Sequence, residues 1–119
     1  MVFGSGGLVI AVARWRPRRP PVPLRIGDDL RGPGVFLFTA DSCDSCDAAR
    51  AVYTNVLGRG GFIEYTWEAE PALLTRLGVE EIPVATVLNV AGDEIASFRL
   101  VPKPRALARA VRKMNRAAR

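Results

Sequence analysis

Histidine is absent, and cysteine, methionine, tryptophan and tyrosine occur only twice each in 119 residues. Without histidine there is no side chain that titrates near neutrality unperturbed. That excludes a Cys–His dyad, histidine general-base catalysis and histidine metal ligation. A domain of this size can bury a core without disulfide staples, and two cysteines are too few for a four-ligand structural zinc site within one chain. The sequence also lacks a long hydrophobic run. The apolar stretch Met1–Ala13 (MVFGSGGLVIAVA) falls short of the roughly 20 residues that span a bilayer. It has no basic n-region of a signal peptide, although Ala11-Val12-Ala13 has the form of a cleavage site.

Acids are missing from one end. Arg99–Arg119 carries eight basic residues and no acid, Met1–Gly34 carries six arginines against Asp28 and Asp29, and Val35–Phe98 carries three arginines against ten acids. The body is therefore acidic and both ends are basic, within a formal net charge of +5. Basic ends attract anionic lipid, an acidic protein face or nucleic acid. The plainer reading is a solvated helix face. Trp15, Trp67, Tyr53 and Tyr65 do not interleave with the basic tail, so a nucleic-acid partner is disfavoured. The composition, about half apolar and a quarter charged, is that of an ordinary globule able to bury a core.

Residues 1–23 read as an apolar segment followed by an Arg- and Pro-rich linker, with the domain over residues 24–119. A strand or helix packed on the domain is the preferred reading of Met1–Ala13. The edge of a membrane anchor, with the arginines behind it on the cytoplasmic side, and a disordered segment are the others. Beyond Leu24, Gly32-Pro33-Gly34 marks a turn, and Val35–Thr39 suits a strand buried on both faces. A helix is expected from Ser45, with Cys46, Ala49, Tyr53, Val56 and Leu57 inward and Gly58, Gly60 and Gly61 at its end. Phe62–Trp67 is a second strand. Pro71 opens a second helix that turns Leu73, Leu74 and Leu77 inward and stops at Gly78. Val84–Val90 and Glu94–Leu100 form a hairpin about Ala91-Gly92-Asp93. A last helix after Pro102 and Pro104 carries Leu107, Val111 and Met114 inward. Strand, helix, strand requires a parallel pair, the Gly turn an antiparallel one. The result is a small mixed sheet with helices on both faces.

The two cysteines stand three apart, in Asp41-Ser42-Cys43-Asp44-Ser45-Cys46-Asp47. Random placement would give that spacing only about 2% of the time. The motif falls where a buried strand gives way to a helix. Unpaired N–H groups and the dipole of a first helical turn favour an anion there, and a thiolate is the anion thiol–disulfide exchange needs. One sulfur can face solvent at the helix mouth and the other lie within the first turn. Cys43 is then the candidate nucleophile, and Cys46 the resolving thiol that releases a mixed disulfide. The plainer readings are a structural disulfide or two idle thiols.

These residues resemble the thioredoxin family over about Val35 to Met114. The resemblance rests on VFLF before the cysteine pair, on C-x-x-C at a strand–helix junction, and on GVEEIPVATVLNVAGDEIASF. It implies an α/β thioredoxin-like fold with a central mixed sheet of four to five strands flanked by helices on both faces. It also implies a cis peptide at Pro83 beside the cysteine pair, with Ile82 and Pro83 binding an extended substrate segment by strand addition. The implied activity is reduction of protein disulfides through a mixed disulfide. No bound cofactor or metal is needed beyond the Cys43–Cys46 couple, and a reductase would recycle it. The expected compartment is the cytoplasm, with membrane association through the N-terminal segment as an addition.

The sequence departs from the family pattern. Trp-Cys-Gly-Pro-Cys is here Ser42-Cys43-Asp44-Ser45-Cys46, and Leu37 stands where thioredoxins keep a buried Asp six residues before the first Cys. Asp41, Asp44 and Asp47 crowd the sulfurs. Like charge disfavours a thiolate, so a Cys43 titration near that of a free thiol and a reducing couple are expected. Simple capping on a solvated surface is the plainer reading of these acids. Two other functions remain open: a non-catalytic thioredoxin-fold adaptor, and a Cu(I) carrier using the two thiolates.

Overall fold

The run Val35–Thr39 is almost wholly apolar because both faces of its strand are covered. In the computed structural model, which describes residues 23–117, all five of these residues are buried. The readings placed on residues 1–22 lie outside the described residues. The elements follow in the order β1 (Gly34–Thr39), α1 (Asp44–Leu57), a 3-10 turn (Arg59–Gly61), β2 (Ile63–Thr66), α2 (Pro71–Leu77), β3 (Val84–Leu88), β4 (Glu94–Arg99) and α3 (Pro104–Ala117).

Four strands form one sheet in the order β2-β1-β3-β4. β1 and β2 are parallel, as a strand–helix–strand unit demands. β1–β3 and β3–β4 are antiparallel. Alternation along β1 sends its side chains into two cores. Phe36 and Phe38 join Leu73, Leu74, Leu77 and Val79, so α2 covers that face. Val35 and Leu37 join Ala49, Tyr53, Leu107 and Ala110, so α1 and α3 cover the other. The expected mixed sheet with helices on both faces is present, with four strands among the described residues.

Local chemistry sets the boundaries. α1 begins one residue earlier than its apolar period indicated, because Cys43 serves as N-cap and its side chain accepts the Cys46 N–H. α2 has Pro71 in its first turn and ends on Gly78 at φ 75°, a left-handed residue that an L side chain would strain. The Val79 N–H then bonds the Leu74 carbonyl at 3.0 Å, and the buried Val79 seals the turn. β3 stops at Leu88 rather than Val90. Asn89 turns its side chain to accept the Asp93 N–H at 2.9 Å, and the ladder shifts register after Val87. Gly92 sits in that turn at φ 88°. Along α3, Leu107 and Ala110 are buried and Val111 and Met114 pack half-buried behind them. Arg105, Arg109, Arg112, Lys113 and Arg116 face solvent. Among the described residues no helix is long and apolar enough to cross a membrane.

Candidate functional site

The cysteine pair sits at the mouth of α1, where β1 has just left the sheet. Cys43 and Cys46 are joined by a disulfide, with their Cα atoms 5.2 Å apart. Their surroundings differ. Cys43 is half-exposed and Cys46 is fully buried. The Cys43 Sγ accepts the Cys46 backbone N–H at 3.2 Å. The same N–H and that of Asp47 also reach the Cys43 carbonyl, at 3.1 and 3.3 Å. The outer sulfur thus receives an N–H from the first turn of the helix, in the place where a side-chain oxygen usually caps.

The three aspartates do not cap the helix, since Cys43 occupies that position. All three are exposed. The Asp41 N–H donates to Glu68 Oε1 at 3.0 Å, which ties the loop before the cysteines to the turn after β2. The Asp47 carboxylate accepts from Arg50 at 2.6 Å.

Ile82 and Pro83 lie at the same end of the sheet. Phe38 of β1 pairs with Val84 of β3. Pro83 therefore comes level with the stretch where β1 runs out into the Cys43 loop. The Ile82–Pro83 peptide is cis, and Pro83 is fully buried. Ile82 is half-buried against the α2-side core. The Pro83 carbonyl accepts the Leu100 N–H at 2.9 Å, and Arg99 grips Glu81 with two bonds of 2.7 and 2.9 Å.

One group of residues escaped the sequence reading. Leu37 is fully buried on β1, and its cross-strand partner on β2 is Glu64. Glu64 accepts hydrogen bonds from Thr39 Oγ1 at 2.5 Å, from Arg50 Nε at 2.9 and 3.0 Å and from a terminal Arg50 nitrogen at 2.7 Å. Burial pushes the Glu64 carboxyl up, but the bonds from Arg50 and Thr39 and the Arg50 charge outweigh it and hold it below the usual glutamate range. The Arg50 guanidinium is held charged chiefly by Glu64. An open cleft of about 630 Å³ borders this pair, with Asp41, Thr66 and Glu70 on its walls. An acid in the middle of a strand candidate was the available signal, but its partner lies 14 residues away. Also on α1, the buried Tyr53 hydroxyl has no partner among the described residues, and burial pushes its pKa well up.

Among the described residues no group of three or more His, Cys, Asp or Glu side chains could hold a metal ion. The two sulfurs can exchange two electrons with a disulfide, and the outer one can be attacked or attack from solvent.

No protein-family model and no curated protein matches the chain. Solved structures do match. A thioredoxin from Malassezia sympodialis superposes with a TM-score of 0.57 at 18% identity, over 71% of this chain and 77% of that one. Thioredoxin f from spinach chloroplast gives 0.57 at 16% identity, over 73% and 80%. The C-terminal domain of Neisseria meningitidis DsbD in its oxidised form gives 0.52 at 16% identity, over 95% and 94%. At these identities the likeness is one of fold, and the fold is thioredoxin-like.

Proposed function

We propose that this thioredoxin-fold chain is a thiol–disulfide oxidoreductase that reduces disulfides of protein substrates, with Cys43 as nucleophile and Cys46 as resolving thiol. In the reduced chain the Cys43 thiolate attacks one sulfur of the substrate disulfide. That S–S bond breaks, a mixed disulfide forms, and the leaving sulfur takes up a proton. The Cys46 thiol then gives up its proton and attacks Cys43 Sγ. The mixed disulfide breaks, the second substrate sulfur leaves as a thiol, and the chain is left as the Cys43–Cys46 disulfide. Two electrons have passed to the substrate. A reductase or other dithiol donor returns them, and no further cofactor enters. The substrate chain lies extended along Ile82 and Pro83. The proposed compartment is the cytoplasm.

The observation that carries this reading is the asymmetry of the two sulfurs. The half-exposed Cys43 Sγ receives a helix N–H, and Cys46 is sealed one turn inside. A helix-mouth N–H favours the thiolate of the attacking sulfur, and burial keeps the second sulfur away from substrate until the mixed disulfide has formed. The test is insulin reduction driven by a small dithiol, with Cys43→Ser as control. Wild type should be far faster than the variant.

A second reading has one observation in its favour. The buried position that carries an acid in thioredoxins carries the fully buried Leu37. A chain without that acid can serve as a thioredoxin-fold adaptor. Wild type no faster than Cys43→Ser would select this reading.

A further inference from the structure

Basic residues recur along α3 at the helical period. Arg105, Arg109, Arg112, Lys113 and Arg116 are all exposed. At 3.6 residues per turn they fall in one stripe about 100° wide and about 17 Å long. The stripe lies opposite Leu107, Ala110, Val111 and Met114, which pack on the core. The helix itself contains no acid, and none of the five basic residues pairs with a carboxylate among the described residues. This arrangement costs the helix stability. Arg105 and Arg109, Arg109 and Lys113, and Arg112 and Arg116 stand four apart, where like charges repel. Arg105 also meets the positive end of the helix dipole. Interspersed glutamates would turn each repulsion into an attraction. Folding therefore gives no reason for an all-basic stripe.

We infer that this face of α3 docks the domain on an anionic lipid surface. The apolar side of the helix is committed to the core, so the contact is one of charge alone and needs no insertion. A straight basic stripe on a convex helix meets a plane along its whole length. The stripe carries no aromatic residue, and the small Ala106 and Ala108 border it. A protein interface is anchored by buried aromatic groups or large side chains in pockets, and single-stranded nucleic acid by stacking on aromatics. The other basic cluster of the chain favours lipid over a phosphate backbone. Arg14, Arg16, Arg18 and Arg19 follow directly on the apolar Met1–Ala13, an order of residues that suits a bilayer interface.

The experiment follows cosedimentation of the full chain with two kinds of vesicle, phosphatidylcholine alone and equal parts of phosphatidylcholine and phosphatidylglycerol. Each basic residue at an anionic surface contributes about fivefold, so wild type should favour the anionic vesicles by at least about a hundredfold. The excess should vanish near ~1 M salt, where the Debye length is roughly 3 Å. Arg109→Gln together with Arg112→Gln should weaken anionic-vesicle binding by on the order of 25-fold. The melting temperature should not fall, because repulsion within the helix is relieved. Arg31→Gln together with Arg76→Gln removes the same charge elsewhere, Arg76 lying on α2 across the sheet. That pair should change binding by less than about threefold. Equal binding of wild type to both vesicles, equal losses in the two double variants, or displacement from anionic vesicles by a short DNA duplex at equal phosphate overturns the inference. Insulin reduction should be unchanged by either pair, which keeps this result separate from the redox reading.

Discussion

The two ends of the β3–β4 ribbon use the same backbone conformation for different purposes. At one end the Asn89–Asp93 turn places Gly92 at φ 88°, with open space around it. At the other, Leu100 stands at φ 58° and is bonded to Pro83. The turn takes a left-handed residue and fills it with the one amino acid that adopts it without strain. The end beside the cysteines takes the same conformation and fills it with a leucine left half in water. The wider surroundings follow the same division. The turn end is held by the Asn89 side chain, with the ladder shifting register after Val87 and the cis Gly32–Pro33 peptide against Asn89. The other end gathers the capping Cys43, the cis Ile82–Pro83 peptide, three exposed aspartates and the Glu64–Arg50 pair. Departures from ideal local chemistry occur at both ends, the cis Gly32–Pro33 peptide and the ladder shift at the turn end among them, but only the other end combines them with the two sulfurs.

The largest expected effect separates the ends by activity. Cys43→Ser should abolish insulin reduction, and Gly92→Ala should leave the rate unchanged, as a turbidity assay would read. Loss of activity in Gly92→Ala would mean that the turn end also serves the site. Next in size is stability. Gly92→Ala forces a Cβ into the left-handed region and should cost about 1–2 kcal/mol in urea unfolding. The opposite change at the other end, Leu100→Gly, should stabilise by about 0.5 kcal/mol, since relief of strain exceeds the added freedom of the unfolded glycine. Two changes of the same sign would break the comparison.

A pH titration of stability sharpens it further. The folded Glu64 carboxyl lies below its ordinary value. Its contribution is therefore complete above the unfolded glutamate range near ~4.3 and is lost as pH falls through the lower folded value. The urea midpoint of wild type should drop with acidification in that window, and Glu64→Gln should flatten that part of the curve. An unchanged curve would show that the pair contributes nothing. The smallest expected effect is on redox poise. Asp44→Asn removes a carboxylate from the first turn, favours the Cys43 thiolate and should move the couple toward oxidising by on the order of 10 mV. Equilibration against a glutathione buffer measures it, and a shift toward reducing would contradict the role given to these acids.

Much of this was legible because it depends on neighbours in the chain. The run Val35–Thr39 announced a strand covered on both faces, and Leu73, Leu74 and Leu77 announced the inward face of α2, each from its period alone. The Cys43-Asp44-Ser45-Cys46 spacing at a strand–helix junction marked the site. The differences are also local. The apolar period points to Ser45 for the first turn of α1, one residue late, because a sulfur as N-cap is not among the usual signals. Hydrophobicity carries β3 on to Val90, because the Asn89 side-chain bond at the end of the strand does not show in it. The Glu64–Arg50–Thr39 group was missed for a different reason. Its members come from β2, α1 and β1, and no spacing in the sequence relates them.

Period, turn residues and cysteine spacing, all short-range, determined the order of elements, the mixed sheet and the identity of the two sulfurs. Only the packed chain decided that Pro83 lies level with the Cys43 loop, that Glu64 of β2 meets Arg50 of α1, and that Leu100 is held in a left-handed conformation bonded to Pro83. Those outcomes depend on strand register and on helices closing over a sheet. They join residues tens of positions apart, where local propensity carries no information and burial makes the choice.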